Sequence, residues 1–460
     1  MLRRSRVPTA AGGARHCGKT WKAAGIALLA AMGLVGCRQP AREPLTVGYF
    51  RLGWFAQPDE FSTAAPLLQQ FTEKTGVRLN NIPVPESTLD QLELSRKLLQ
   101  GHGSGPDVLG VDLIWSGVLG ADLLDLRPSL ASEISSLAPQ LMRSYTVDGR
   151  VVAIPYGVQT GVLEYRTDLL GEYGYDHPPK TWDELEKMAL RIQTGERAKG
   201  KKDFWGYVWQ GAAAEALTCN ALEWQMSEGG GRIIEDDGTI SVNNPAAIRS
   251  WQRAKRWIGW ISPPSVIAYR ESDSMNVFDS GGAAFDRVWG GTTITNAPGA
   301  PSRLLHLRDS LTLSRTGYTR LPAGPGGSAG TLGGSGLAVS RNSAHAQEAI
   351  ELVRFLISAE VHSEEQEMAA PLPPQPKFYD LPSISEPEDH LKNSGQRLTS
   401  AVSRPSNVAG GLYDQVTRAY IDGVHAVLTG QKRAPEAAAD VERQLVKITG
   451  FRTGPPKKAE

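Results

Sequence analysis

The segment from Leu45 to Val111 most constrains what this chain can fold into, because its hydrophobic period switches repeatedly between that of a strand and that of a helix. Leu45-Thr46-Val47-Gly48-Tyr49-Phe50 reads as a strand. From Phe61 to Thr75 the apolar residues Phe61, Ala64, Leu68 and Phe71 share one helical face, and Gly76 supplies a stop. Val77 to Val84 is strand-like again. Thr88-Leu89-Asp90-Gln91 has the form of a capping box opening a helix to about Gln100. Pro106-Asp107 then leads into the apolar strand Val108 to Val111. The order β-α-β-α-β predicts an α/β fold whose mostly parallel sheet is covered by helices.

The pattern restarts in mid-chain. Val151 to Pro155 reads as a strand, and Thr181-Trp182-Asp183-Glu184 as a second capping box before Leu185, Ala189 and Ile192 on one face. Helices are expected at 214–228, 245–259, 344–358 and 435–449, the last with Ala438, Val441, Leu445 and Ile448 in register. The Pro- and Gly-rich stretches at 297–301 and 322–336 read as loops. No internal repeat is visible.

The first 36 residues differ from the rest. They carry Arg3, Arg4, Arg6, Arg15, Lys19 and Lys22 with no acidic residue, and end in a 13-residue apolar run, Ala23 to Val35. As a helix that run is too short for ~30 Å of hydrocarbon, so it reads as a secretory signal. Beyond it the chain holds 43 basic and 49 acidic residues. A mildly acidic body has no electrostatic reason to bind nucleic acid. Of the three cysteines, Cys17 lies in the signal and Cys37 directly after it, and Cys219 is left without an intramolecular partner. No cysteine pair suggests a zinc or redox site, and no cofactor is expected.

Leu34-Val35-Gly36-Cys37 resembles the bacterial lipobox, which implies cleavage before Cys37 and a lipid anchor on its sulfur. Residues 37–44 would then be a linker. Over about 45–450 the chain resembles the family 1 extracellular solute-binding proteins, of the maltose and trehalose/maltose type, that serve ABC importers. The resemblance rests on landmarks in order: Pro106 to Trp115; Ile154-Pro155-Tyr156 continuing to Leu170; Gly206-Tyr207-Val208-Trp209-Gln210-Gly211; Gly229-Gly230-Gly231; Asn243-Asn244-Pro245; Ala283 to Trp289; Thr331-Leu332-Gly333-Gly334; and Arg404-Pro405. It implies a two-lobe periplasmic-binding-protein fold of type II with the ligand in the cleft between lobes. The amino-terminal lobe would be 45–155 plus 318–358 and the carboxy-terminal lobe 160–317 plus 362–455. Crossings would fall near 154–160, 315–320 and 358–362. It also implies capture of a di- or oligosaccharide by a monomer that docks on permease subunits.

A sugar offers hydroxyls at its rim and apolar C–H faces. Carboxylates, amides and arginines suit the first, flat aromatics the second. Asp112 ends an apolar strand and is the strongest polar candidate, with a helix N-cap as the plain alternative. On the resemblance, Glu60, Gln159 and Arg404 are further polar candidates and Trp289 is a stacking ring, while Arg287, two residues before it, could reach the same ligand or a carboxylate. Gly333, Gly334 and Ser335 would offer backbone donors. Trp115 would be cleft wall or core. Trp182, Trp224, Trp251 and Trp257 lie within helical patterns and read as core.

The chain departs from the family where bulky groups are usual. Gly333-Gly334-Ser335, Gly290-Gly291 and Ala212-Ala213-Ala214 stand at those positions. This implies a roomier, less aromatic pocket. Two rivals remain. A lipid-anchored glycoside hydrolase would need paired carboxylates such as Asp112 and Glu60, but no catalytic motif supports one. The other rival presents ligand to a sensor.

Overall fold

The structure is a computed structural model. It describes residues 45–48, 64–82, 88–101, 105–137, 139–290, 315–358, 361 and 401–457. The expectations for Cys37 and Glu60, and the loop at 297–301, lie outside the described residues.

The first part folds as the alternation requires. Strand β1 (Leu45–Gly48) is followed by helix Ala64–Thr75, β2 (Leu79–Ile82), helix Thr88–Gln100 and β3 (Val108–Asp112). β1 pairs in parallel with both β2 and β3. Their helices close over the sheet, and Phe71, Val77, Val108, Leu352, Val353 and Leu356 form a core beneath them.

A small hairpin, β4 (Thr146–Val147) with β5 (Arg150–Val151), precedes the longest strand, β6 (Ile154–Arg166). β6 runs on past the expected end at Pro155 and serves three ladders. Along one edge its first half meets β10 (Gly330–Val339) and its second half β9 (Thr316–Arg320). Its other edge meets β8 (Ala283–Gly290) over Thr160 to Tyr165. β8 pairs in parallel with β7 (Trp205–Val208). β10 also pairs with β3, antiparallel, and with the short β11 (Ala401–Val402), in parallel. The sheet order is β2-β1-β3-β10-β6-β8-β7. The parallel ladders expected from β-α-β units lie towards its two ends, and its middle is antiparallel.

Strand β10 corrects the reading of 322–336 as loop throughout. Its sequence, GTLGGSGLAV, is interrupted by Gly330, Gly333, Gly334 and Gly336, where neighbours approach too closely for side chains. A Cβ on Gly330 would lie 2.6 Å from the Gly161 carbonyl oxygen, and one on Gly336 2.7 Å from the Tyr145 ring. Gly334 has φ +136°, a conformation for which glycine is suited.

The helices expected at 214–228, 245–259, 344–358 and 435–449 stand at Glu215–Ser227, Pro245–Trp257, Ala346–Leu356 and Ala434–Thr449, whereas Glu271–Asp279 and Tyr413–Leu428 were not expected. Thr181 accepts the Glu184 N–H at 3.2 Å, capping helix Trp182–Ala198. Asn244 accepts from Ala246 and Ala247, capping Pro245–Trp257. Trp182, Trp209, Trp224, Trp257 and Tyr207 interlock with centroid separations of 5.0–6.4 Å. The abundance of tryptophan is thus largely a matter of core packing.

Candidate functional site

Three strands bring the candidate residues together. In register, Asp112 at the end of β3 faces Ser335 on β10, and Ser335 faces Gly157 on β6. Two residues along, Gly333 faces Gln159. On the far edge of β6, Gly161 faces Trp289 of β8. The Trp289 side chain leans back towards β10, since a Cβ on Gly333 would lie 2.6 Å from its ring. Asp112, Gln159, Trp289, Gly334 and Ser335 therefore border one continuous patch of sheet. Asp112, Gln159, Trp289 and Ser335 are partly exposed there.

Asp112 does two jobs. Its Oδ1 accepts the Ile114 N–H at 3.1 Å, so it caps the turn Leu113–Trp115 as the plain reading expected. The same oxygen lies 3.8 Å from Nη2 of Arg404. Burial raises the Asp112 carboxyl above its ordinary range, the Arg404 charge and the Ile114 N–H oppose that, and nearby Glu215 adds to it.

Arg404 joins Asp112 to a second acid. Its Nη1 donates to Glu215 Oε1 at 2.9 Å and its Nη2 to the Leu332 carbonyl at 3.5 Å. Nε is buried with no partner among the described residues. Glu215 opens helix Glu215–Ser227, where the helix dipole favours a carboxylate. It also accepts from the Tyr413 hydroxyl, and from Thr417 at 2.7 Å. An arginine between two carboxylates, one partly exposed and one 22% exposed, is a polar surface suited to hydroxyl groups.

Two candidates take other places. Trp115 is drawn into the core at 2% exposure, because the turn capped by Asp112 directs it inwards. Arg287 is fully buried, and its guanidinium is engaged by Glu223, with Nε to Oε2 at 3.0 Å and Nη2 to Oε1 at 2.5 Å. It does not line the partly exposed patch but lies behind Trp289, its Cζ 4.3 Å from the ring centroid. Sequence reasoning missed both Glu223 and Glu215. Neither carried a local sequence signal: that Glu223 is a lone acid inside the wholly buried run Ala216 to Gln225, and so requires a cationic partner, emerges only in the structure.

Comparison with known proteins fits this geometry. The family model of the bacterial extracellular solute-binding proteins matches residues 56–362. A Deinococcus radiodurans protein described as "Probable ABC transporter-binding protein" is 38% identical over 382 residues, covering 83% of this chain and 89% of its own. A solved structure of maltose-bound T. maritima MalE3 is 29% identical with a TM-score of 0.77, over 88% of this chain and 99% of that one. An ABC transporter solute-binding protein from Thermotoga lettingae, 22% identical with a TM-score of 0.73 over 88% and 99%, shares the fold. The chain belongs to the bacterial extracellular solute-binding protein family. It has the type II two-lobe fold of that family and is a binding protein, not an enzyme.

Proposed function

We propose that this protein is the substrate-binding component of an ABC importer and that it captures a di- or short oligosaccharide between two lobes. The observation that carries this reading is the in-register assembly of Asp112, Ser335, Gln159 and Trp289 on adjacent strands, with Arg404 closing one side. Asp112, Gln159 and Arg404 would take ring hydroxyls, and Ser335 with the Gly334 backbone would add donors. Trp289 would cover an apolar sugar face. The maltose held by the Thermotoga relative supports the ligand class. Glu60, which matches the position of a hydroxyl-binding Glu in the resembled family, would be a further ligand-binding residue.

On this reading the lobes meet where β6 and β10 run side by side, and hinge closure traps the ligand. The leader and Cys37 would place the protein outside the cytoplasm on a lipid anchor, as a monomer, with permease subunits as partners. Labelling with a fatty acid that is lost in Cys37→Ala tests the anchor.

Titration calorimetry with maltose, trehalose, maltotriose and a polyol tests the ligand class. Micromolar or tighter binding of maltotriose that is lost in Asp112→Asn and Trp289→Ala is the expected result. Because Ser335, Gly290 and Ala212 to Ala214 leave the pocket short of aromatic surface, trehalose is expected to bind more weakly. Polyol binding with no saccharide binding would overturn the ligand assignment.

A further inference from the structure

We propose that Glu223 and Arg287 form a positioning relay for Trp289, in which the carboxylate fixes the guanidinium and the guanidinium fixes the indole. This rests on the reading of Trp289 as a wall of the saccharide site.

The geometry is that of a bidentate fork. Two guanidinium nitrogens meet the two Glu223 oxygens at 2.5 and 3.0 Å, and both side chains are 1% exposed. Such a pair fixes the plane of the guanidinium as well as its position. With two of its nitrogens committed to Glu223, the group's Cζ sits over the Trp289 ring, 4.3 Å from the centroid.

The surroundings hold the pair from every side. The Thr331 N–H of β10 donates to Glu223 Oε1 at 3.0 Å. Gln210 donates to the Arg287 carbonyl at 2.7 Å and accepts from Asn220 at 3.0 Å. Gly161 leaves the space the pair occupies, since a Cβ there would lie 1.9 Å from Glu223 Oε1. Helix Glu215–Ser227 is thereby tied to β6, β8 and β10 at the point where Trp289 leaves the sheet.

Packing alone does not call for an ion pair here. Apolar residues of similar volume often hold such a position equally well, because burying two charges is costly. What apolar residues do not provide is a flat cation in a fixed plane behind an indole. Trp289 is partly exposed and faces the partly exposed Gln159 side of the patch. A ring ordered before ligand arrives loses less freedom on binding.

The test uses protein labelled with 5-fluorotryptophan, the Trp289 signal being identified by its loss in Trp289→Phe. The ligand-free wild type is expected to give one narrow Trp289 line that shifts on adding maltotriose. In the double variant Glu223→Gln/Arg287→Met, which leaves no buried charge unpaired, that line is expected to move and broaden while the Trp251 line stays. Maltotriose affinity is expected to fall about tenfold. Arg287→Lys, which keeps the charge but not the fork, should give an intermediate line. An unmoved Trp289 line in the double variant, with affinity within twofold of wild type, overturns the relay. So does an exchange-broadened line in ligand-free wild type, which remains measurable if the variants do not fold. Failure of Trp289→Phe to alter maltotriose binding would instead refute the site reading, leaving the relay to be judged on the resonance alone.

Discussion

Arg287 and Arg404 are both buried arginines facing glutamates, yet they are built differently. Arg287 has a two-pronged bond to Glu223, a glutamine beside it and an indole over its face. Arg404 has one close carboxylate, a second at 3.8 Å, and an Nε with no partner among the described residues. The partners of Arg287 satisfy it within the fold. Those of Arg404 leave donor capacity beside a partly exposed acid. Burial alone therefore does not distinguish the two arginines, whereas the completeness of their hydrogen bonding does, and on the proposed reading Arg404 is the one left for ligand.

The largest expected effect comes from breaking the complete pair. Glu223→Ala leaves the Arg287 charge buried and alone, and should cost about 3–5 kcal/mol of stability in chemical denaturation. Arg404→Met should behave in the opposite way. Glu215 keeps Tyr413 and Thr417 as donors, so the denaturation midpoint should change less than in Glu223→Ala. Saccharide affinity should fall by at least tenfold, as expected for losing charged hydrogen bonds of about 1.5–3 kcal/mol each. If both arginine sites respond alike in stability and in binding, the contrast fails.

Gly161→Ala probes the complete pair sterically. Its new methyl group would strike Glu223, at an expected cost of about 1–3 kcal/mol. A buried acid with no cationic partner among the described residues extends the comparison. Glu164 on β6 lies directly opposite Asp286 on β8. Burial raises Glu164 from 4.5 to about 8, the Tyr318 hydroxyl opposes this, and Asp279 adds to it. The folded state therefore retains a proton that the unfolded chain releases. The resulting stability is fully present below pH 4.5 and is lost as pH rises towards about 8. Glu164→Gln should flatten that slope in denaturation curves recorded across the window. The smallest effect belongs to the exposed pair Arg96–Asp414, at 2.7 Å with side chains 40% and 33% exposed. Arg96→Ala should cost less than about 1 kcal/mol.

Helices were the legible part of the sequence. Those beginning at Pro245, Ala346 and Ala434 carry their own period, the first of them also announced by Asn244, and one other is announced by Thr181. Strand β10 was not legible, because its glycines answer to neighbours distant in sequence. Asp112, Gln159, Trp289 and Ser335 could be nominated from a resemblance, and the strand register places them on one patch. Arg287 could be nominated but not assigned, since its partner lies 64 residues away and no local spacing marks the pair. Arg404 and Glu215 are separated by 189 residues, which hid Glu215 in the same way.

The glycine run of β10 also restricts how this pocket can be retuned. Side chains cannot be added at Gly333 or Gly334 without striking the Trp289 ring or the Gly157 carbonyl. On the proposed reading the floor is in effect a fixed template, and altered ligand preference has to be written on its margins, at Gln159 and Ser335. Libraries aimed at new sugars would do best to spare the floor and diversify that border.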